Sequence, residues 1–552
     1  MKKKLLAILL TAIASAAILT GCTNNSNGGS EGGDSKEEGS TSSGITKYKE
    51  DGVTLKWWVV GGTEEYYQHY FSEMKGLQKI QEETGITIEF DVQTNEDNYL
   101  PMMTAGNYPD IVTAKNMEMF PGRLDKLYLD GVSMALNPYI DEYMPNFKHI
   151  LVEYPTIAKD LQISSGEYTF ASTLYDVKDA DDRAATSVYG LAIRKDWLDS
   201  VGMDVPTNMS EWFDVLMAFK SMDPNANGEL DEVPICMASS GWKYFLVGYG
   251  IGDDPILDEN GKVFYGYTTP QYRDYLAEMN KWYNESLFDN WFKHATLLDR
   301  EDVVTNNVAG AWKADADHFD EDDPTSYIST LRQTVPGAEF AACPWPETSD
   351  GKLYCYSNIA SFHRDTTIVT TNCTNPEAAC WLIDSMYSEE GSNLLSWGIE
   401  GESYTVVNGE KQMVEGMDDD IEYYDTTIKQ RYTYADPTTI GFPKFKTFAS
   451  CILSTKSEGY VEACRVWAEG DTSYRMPYAA QLNDLQSAEV ENTTENMKGY
   501  LSDMRKKFVE GTEPLTSYDK YVDQCKLYGS EEYERIWQEC YDAYAARKGY
   551  GE

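Results

Sequence analysis

The sequence predicts an α/β protein whose single chain builds two lobes. Two observations lead there. Strand and helix signals alternate across residues 54–114 in the manner of a parallel sheet. Beyond a leader and a tether, about 505 residues remain, too many for one ordinary core.

The elements follow in order. Thr54 to Val60 is a short apolar strand. Glu64 to Thr84 reads as an amphipathic helix, with Phe71, Met74, Leu77 and Ile80 on one stripe and Gly85 as its stop. Ile86, Ile88, Phe90 and Val92 alternate with polar residues, the period of a half-buried strand. A short helix through Met103 then leads to Asp110 and the strand Ile111–Ala114.

The first residues state an address. Lys2, Lys3 and Lys4 precede an apolar run from Leu5 to Leu19, too short for a spanning helix of about 20 residues. Leu19-Thr-Gly-Cys22 matches a lipobox, so 1–21 reads as a lipoprotein signal peptide and Cys22 as the lipidated residue. Two acyl chains give the stable anchoring that one does not. Residues up to 47 are Gly/Ser-rich and polar, a flexible tether.

The charge is strongly acidic, −45 with 91 Asp and Glu against 46 Lys and Arg. That argues against nucleic acid and against adhesion of the body to an anionic membrane. Cys22 aside, the cysteines form an odd set at irregular spacing, a poor disulfide framework; free thiols are expected, with a Cys343–Cys355 pair as the alternative. Five scattered His and no CxxC speak against zinc.

The most specific chemical signal lies at 223–232. Asp223, Asn225 and Asn227 alternate, Gly228 follows, then Asp231 and Glu232. Short oxygen side chains at every second position and a glycine for the turn are what a Ca²⁺ loop needs, with a backbone carbonyl from Glu229. Unlike an EF-hand, the twelfth position is Pro234, and the acids come earlier. A polar turn without metal is the alternative.

The run around this loop, RKDWLDSVGMDVPTNMSEWFDVLMAFKSMDPNANGELDEVP at 194–234, resembles bacterial extracellular solute-binding lipoproteins of ABC sugar importers. Within them it is most similar to the large branch for oligosaccharides and aldouronates that includes the alginate-binding proteins. The Trp397-Gly-Ile-Glu-Gly-Glu-Ser-Tyr404 segment matches the same family. The resemblance implies a periplasmic-binding-protein-like α/β fold, with two hinged lobes, a structural calcium, an oligosaccharide held in the cleft, a membrane permease as partner, a monomer, and no catalysis. It divides the chain into lobe one at 48–172, lobe two at 173–337, a return to lobe one at 338–405, and a mostly helical return to lobe two at 406–552.

Open α/β sheets bind ligands beyond the carboxyl ends of their strands. Together with the resemblance, that singles out Trp58, Asp110, Lys115 and Asn116 in lobe one and Trp242 and Trp312 in lobe two. Glu400 and Tyr404 are expected beside the hinge. Aromatic faces suit sugar C–H faces, and carboxylates suit hydroxyls. Asp110 and Glu400 are equally compatible with turn or capping roles. Trp197 and Trp282 sit on helix stripes and are expected in the core, and Arg194 is expected to pair with Asp196. Two other functions compete with a sugar receptor: an extracellular glycoside hydrolase, which needs only a carboxylate pair, and a peptide receptor on the same scaffold.

Overall fold

The computed structural model describes residues 44–551 except 61–70, 94, 238–239, 254, 289–299, 358, 415, 418–419, 422–425 and 428–441. The signal peptide, Cys22 and most of the tether therefore lie outside the described residues, as does the start of the helix expected from Glu64.

Two four-stranded sheets organise the body. In the first, Thr54–Val60 lies between Thr87–Gln93 and Ile111–Ala114, parallel to both, and Thr366–Val369 closes the edge antiparallel. Leu55, Trp57, Trp58 and Val59 are all buried, as suits a parallel strand covered on both faces. The helix Lys75–Thr84 packs Leu77 and Ile80 inward and ends at Gly85, whose φ of 71° is the left-handed stop.

The second sheet has the order Phe340–Cys343, Tyr189–Arg194, Ala309–Asp315, Val233–Cys236. Its two last strands run parallel and the other neighbours antiparallel. Phe340–Cys343 was expected to begin the return to lobe one. It pairs with Tyr189–Arg194 instead, because Phe340 fills the space edge-on to Trp312 at 4.7 Å. Trp197 and Trp282 are fully buried in this second core, as expected. Arg194 holds Asp196 through two bonds of 2.8 and 2.6 Å, again as expected.

Three passages of chain run side by side between the two cores. Thr173–Leu174 pairs parallel with Lys444–Phe445, and Leu174 bridges to Phe362. His363 donates to the Thr173 carbonyl (2.9 Å) and Tyr175 to that of Ser361 (2.8 Å).

The C-terminal helices do not all return to the second lobe. Phe508, Tyr518, Tyr521 and Cys525 enter the second core, but Ile536, Cys540 and Tyr544 of the helix Ser530–Ala545 enter the first. Their spacing places these side chains on one stripe, and that stripe packs on the first core. Tyr544 also donates to Asp160 at 2.7 Å. All nine described cysteines are free, Cys343 and Cys355 included.

Candidate functional site

The carboxyl end of Val233–Cys236 runs into a 3₁₀ helix, Gly241–Tyr249. Trp242 is buried there, with the Arg505 guanidinium 3.8 Å above its ring. Lys243 pairs with Asp253 at 2.6 Å, and the same carboxylate accepts from the Tyr356 hydroxyl at 3.1 Å. Tyr244 meets Tyr356 edge-on at 4.6 Å and Trp345 at 5.6 Å. Lys313, on the neighbouring strand, lies 5.2 Å from the ring of Tyr189 and 6.0 Å from that of Tyr244.

This cluster forms a floor beside the chain passages that join the two cores. Tyr356 immediately precedes the passage through Phe362. Arg475, which donates to the Tyr356 carbonyl, lies between Tyr474 of the second core and Met476 of the first. Burial foremost, and then the Asp253 charge, raise the Tyr356 hydroxyl well above its ordinary pKa, so it acts as a neutral donor. Tyr189, 53% exposed, supplies an open aromatic face at the rim. Flat rings beside fixed charged donors and one carboxylate can grip a polyhydroxylated ring from its face and its edge.

Of the residues singled out from sequence, only Trp242 joins this floor. Trp312 is fully buried; its Nε1 donates to His318 Nδ1 at 3.2 Å, so the expected cleft-edge position is corrected to a core one. Asp110 stands at the amino end of its strand, where its carboxylate accepts from the Lys56 amide at 2.8 Å. It ties two strands together. Trp58 is buried against Tyr99 (5.8 Å), and both it and Asp110 line a separate polar hollow of about 1130 Å³. Lys115 is at the carboxyl end of Ile111–Ala114, paired with Glu96 at 2.7 Å. Its neighbour Asn116 is buried, its carboxamide oxygen accepting from the Tyr99 hydroxyl (2.5 Å) and its amide group donating to the Thr366 carbonyl (2.7 Å). Glu400 is an exposed turn residue, and Tyr404 packs on Trp397 at 5.8 Å with Lys411 beside it. Two adjoining polar hollows of about 810 and 860 Å³ share Gln271, Lys352 and Tyr354, and neither is lined by the floor residues.

Sequence reasoning missed Tyr189, Lys243, Asp253, Lys313, Tyr356, Arg475 and Arg505. Lys313 had a signal: it alternates with Trp312 on one strand, so one of the two had to face away from the core. Arg475 and Arg505 come from far along the chain and carried none.

The loop at 223–232 keeps its expected turn chemistry. Asp223, Ala226 and Gly228 take left-handed φ of 47°, 56° and 88°. Asp223 accepts from the amides of Asn227 (3.1 Å) and Gly228 (3.0 Å), and Asn227 Oδ1 from that of Glu229 (2.7 Å). Asp231 accepts from the Asn227 carboxamide at 3.0 Å. Among the described residues, no three His, Cys, Asp or Glu side chains already converge as a metal site. Yet both carboxylate oxygens of Glu232 are shut off from solvent without a hydrogen-bond partner. Burial foremost, then the charges of Asp223 and Asp231, raise the Glu232 pKa; its own amide and that of Asn225 lie close enough to oppose the rise without reaching hydrogen-bond geometry.

Two sheets with separate cores, three strand passages between them, and a polar aromatic floor at strand ends define a two-lobed binding protein. Residues 64–393 match the family of bacterial extracellular solute-binding proteins, and the chain belongs to that family. It is similar to the fructooligosaccharide ABC transporter substrate-binding protein FusA of Streptococcus pneumoniae serotype 4, with 23% identity over 86% of this chain and 87% of that one. The fold is shared with an HMO-binding, ABC-transporter-associated solute-binding protein from Bifidobacterium longum infantis. There the TM-score is 0.67 at 18% identity, over 90% of this chain and 99% of that one. It is also shared with an EF-hand mutant of the S. pneumoniae FusA in complex with fructo-nystose, at TM-score 0.61 and 19% identity, over 90% and 100% of the two chains.

Proposed function

We propose that this protein is a lipid-anchored extracellular receptor that captures an oligosaccharide between its lobes and delivers it to an ABC-transporter permease. One observation carries the reading. In a member of a solute-binding family, the floor beside the chain passages joins Trp242, Tyr244 and Tyr356 to Lys243, Asp253 and Arg475. The names of the relatives agree with it, since FusA is a fructooligosaccharide-binding protein. Closure of the lobes on the ligand is a hinge motion about the three passages, favoured by the closed state's higher affinity. Cys22 supplies the anchor, and the tether up to residue 47 lets the body reach a permease.

A calcium ion in the loop belongs to the same reading. The fit rests on Glu232: a buried carboxylate without a donor, beside Asp223 and Asp231, is costly unless a cation offsets it. Asp223, Asn225, Asn227, Asp231 and Glu232, with the Glu229 carbonyl, would hold the ion. It would supply structural cross-linking of the loop, whose Asn225 side chain already reaches the Asn307 carbonyl at 3.3 Å.

The test is a thermal-shift screen of the protein against fructo-oligosaccharides, other neutral glycans, uronic oligosaccharides and peptides, with each incubation read by mass spectrometry. A stabilising glycan recovered intact supports the receptor. A cleaved glycan makes the protein a glycoside hydrolase, and stabilisation by peptides alone makes it a peptide receptor.

A further inference from the structure

One hollow differs from the other three in charge. Those of about 810, 860 and 1130 Å³ are each lined by several Asp or Glu residues. A fourth, of about 460 Å³, is lined by the turn at 164–166 and by residues that follow the helix Ser530–Ala545. Its charged lining residues are Arg547 and Lys548, with no Asp or Glu, in a chain where acids outnumber bases 91 to 46. Arg547 is half-buried, and its Nε is shut off from solvent without a hydrogen-bond partner. Its only hydrogen bond among the described residues is a long one, from Nη1 to the Lys159 carbonyl at 3.5 Å. No described carboxylate lies within ion-pair distance of it. Asp125 and Asp160 act on it from further off, and both are engaged elsewhere. Asp125 accepts from the Ser164 amide at 2.9 Å, and Asp160 from the hydroxyls of Ser361 (2.5 Å) and Tyr544 (2.7 Å). The negative end of the helix is served by Lys159, whose ammonium donates to the Ala545 carbonyl at 3.4 Å. Lys548 is exposed, and its ammonium has no partner among the described residues.

A guanidinium keeps its charge at any physiological pH, so a partly buried one without a counter-ion is costly. Burial accordingly holds Arg547 below the ordinary arginine pKa. We propose that this hollow binds a phosphate-class oxyanion, between Arg547 and Lys548 on one side and the exposed turn at 164–166 on the other. A phosphate monoester carries about −1.5 to −2 charge near neutral pH and three acceptor oxygens. Two cations match that charge, a guanidinium edge matches two of the oxygens, and the exposed Ser165 hydroxyl is a further donor. A carboxylate offers one charge and two oxygens, a poorer match. A free phosphate and a phosphate ester such as a lipid headgroup share this chemistry. The acidic exterior does not oppose it, because charges more than about 8–10 Å away are screened at physiological salt, whereas a partly desolvated pair is not. The site is separate from the aromatic floor, and the proposal does not depend on which ligand the floor takes.

The experiment is calorimetric titration of the full chain, in a non-ionic detergent, with inorganic phosphate, glycerol phosphate and acetate at matched ionic strength. The expected result is saturable binding of phosphate or its ester, about tenfold or more tighter than acetate. Tighter binding of the ester points to an esterified source and tighter binding of the ion to free phosphate, and either supports the site. Arg547→Gln should weaken the binding about tenfold or more, the loss of a charge-assisted pair. The exposed Lys548→Gln should weaken it about threefold, as an exposed ion pair does, at an unchanged melting temperature. Absence of saturable binding by both phosphate and the ester overturns the proposal, as does acetate binding equally well. Affinity that is unchanged in both variants places the anion elsewhere and overturns it too. If Arg547→Gln fails to fold, Lys548→Gln decides alone.

Discussion

Replacing Trp312 with alanine separates a core role from a ligand role. The indole is fully buried, edge-on to Phe340, on a strand whose register sets it opposite Ala192 and Cys236. A buried Trp takes roughly 150–250 Å² out of water. At about 25 cal/mol per Å² that is worth on the order of 4–6 kcal/mol, of which alanine retains a small part. The small neighbours Ala192 and Ala311 leave little to refill the cavity, and the bond to His318 is lost as well. A net loss of about 3–5 kcal/mol follows. At roughly 1–2 °C per kcal/mol for a body of this size, the melting temperature should drop by on the order of 5 °C. Calorimetric melting reads the loss, and glycan titration well below the transition reads the site. The expected pair of results is a lowered melt with unchanged affinity. An unchanged melt with lost affinity would refute the burial argument and return the indole to the ligand.

Other outcomes follow from other sites. Chelation should lower the melting temperature by removing a ligand that binds only the folded state. Glu232→Gln should make the melt indifferent to chelator, and in chelator should leave it no lower than that of the native protein, since the orphaned carboxylate is gone. Burial raises Asp384 and Asp182 to about 7, Asp384 while it caps the helix Pro145–Glu153 through the Phe147 amide. Between the usual carboxylate value near 4 and about 7, the folded chain therefore holds protons that the unfolded chain has released. Stability contributed by these groups is greatest at the acid end of that window and falls as pH rises through it; denaturant melts from pH 5 to 8 should show the fall, and Asp384→Asn should flatten it. A Cβ at Gly190 would sit 2.3 Å from the Trp467 indole, which is fixed by its bond to the Leu191 carbonyl. Gly190→Ala should cost about 1–3 kcal/mol in a urea melt.

Much of the fold is a matter of local pattern, and local pattern is what a sequence carries. The strand at Thr54–Val60, the period-two strand ending at Gln93 and the left-handed stop at Gly85 are each specified within a few residues. The same holds for the loop at 223–232, where alternating oxygens and Gly228 specify the turn. Its closing acid, Glu232, was legible as a ligand type, but its isolation from every donor was not, because burial depends on what packs over the loop.

The aromatic floor lay beyond that reach. Trp312 and Lys313 are neighbours in sequence, and only the packing over their sheet, with Phe340 edge-on to the indole, decides that the indole goes inward and the lysine faces the tyrosine rings. Arg475, in the segment between two helices, and Arg505, on the helix Asp484–Val509, come more than two hundred residues after Trp242, and no local periodicity says where they dock. Sequence by itself determined the α/β class, the family and the oxygen-rich loop, since each is encoded in contiguous residues. Tertiary structure alone decided which side chains share the aromatic floor, since it is assembled from chain passages that no local pattern relates.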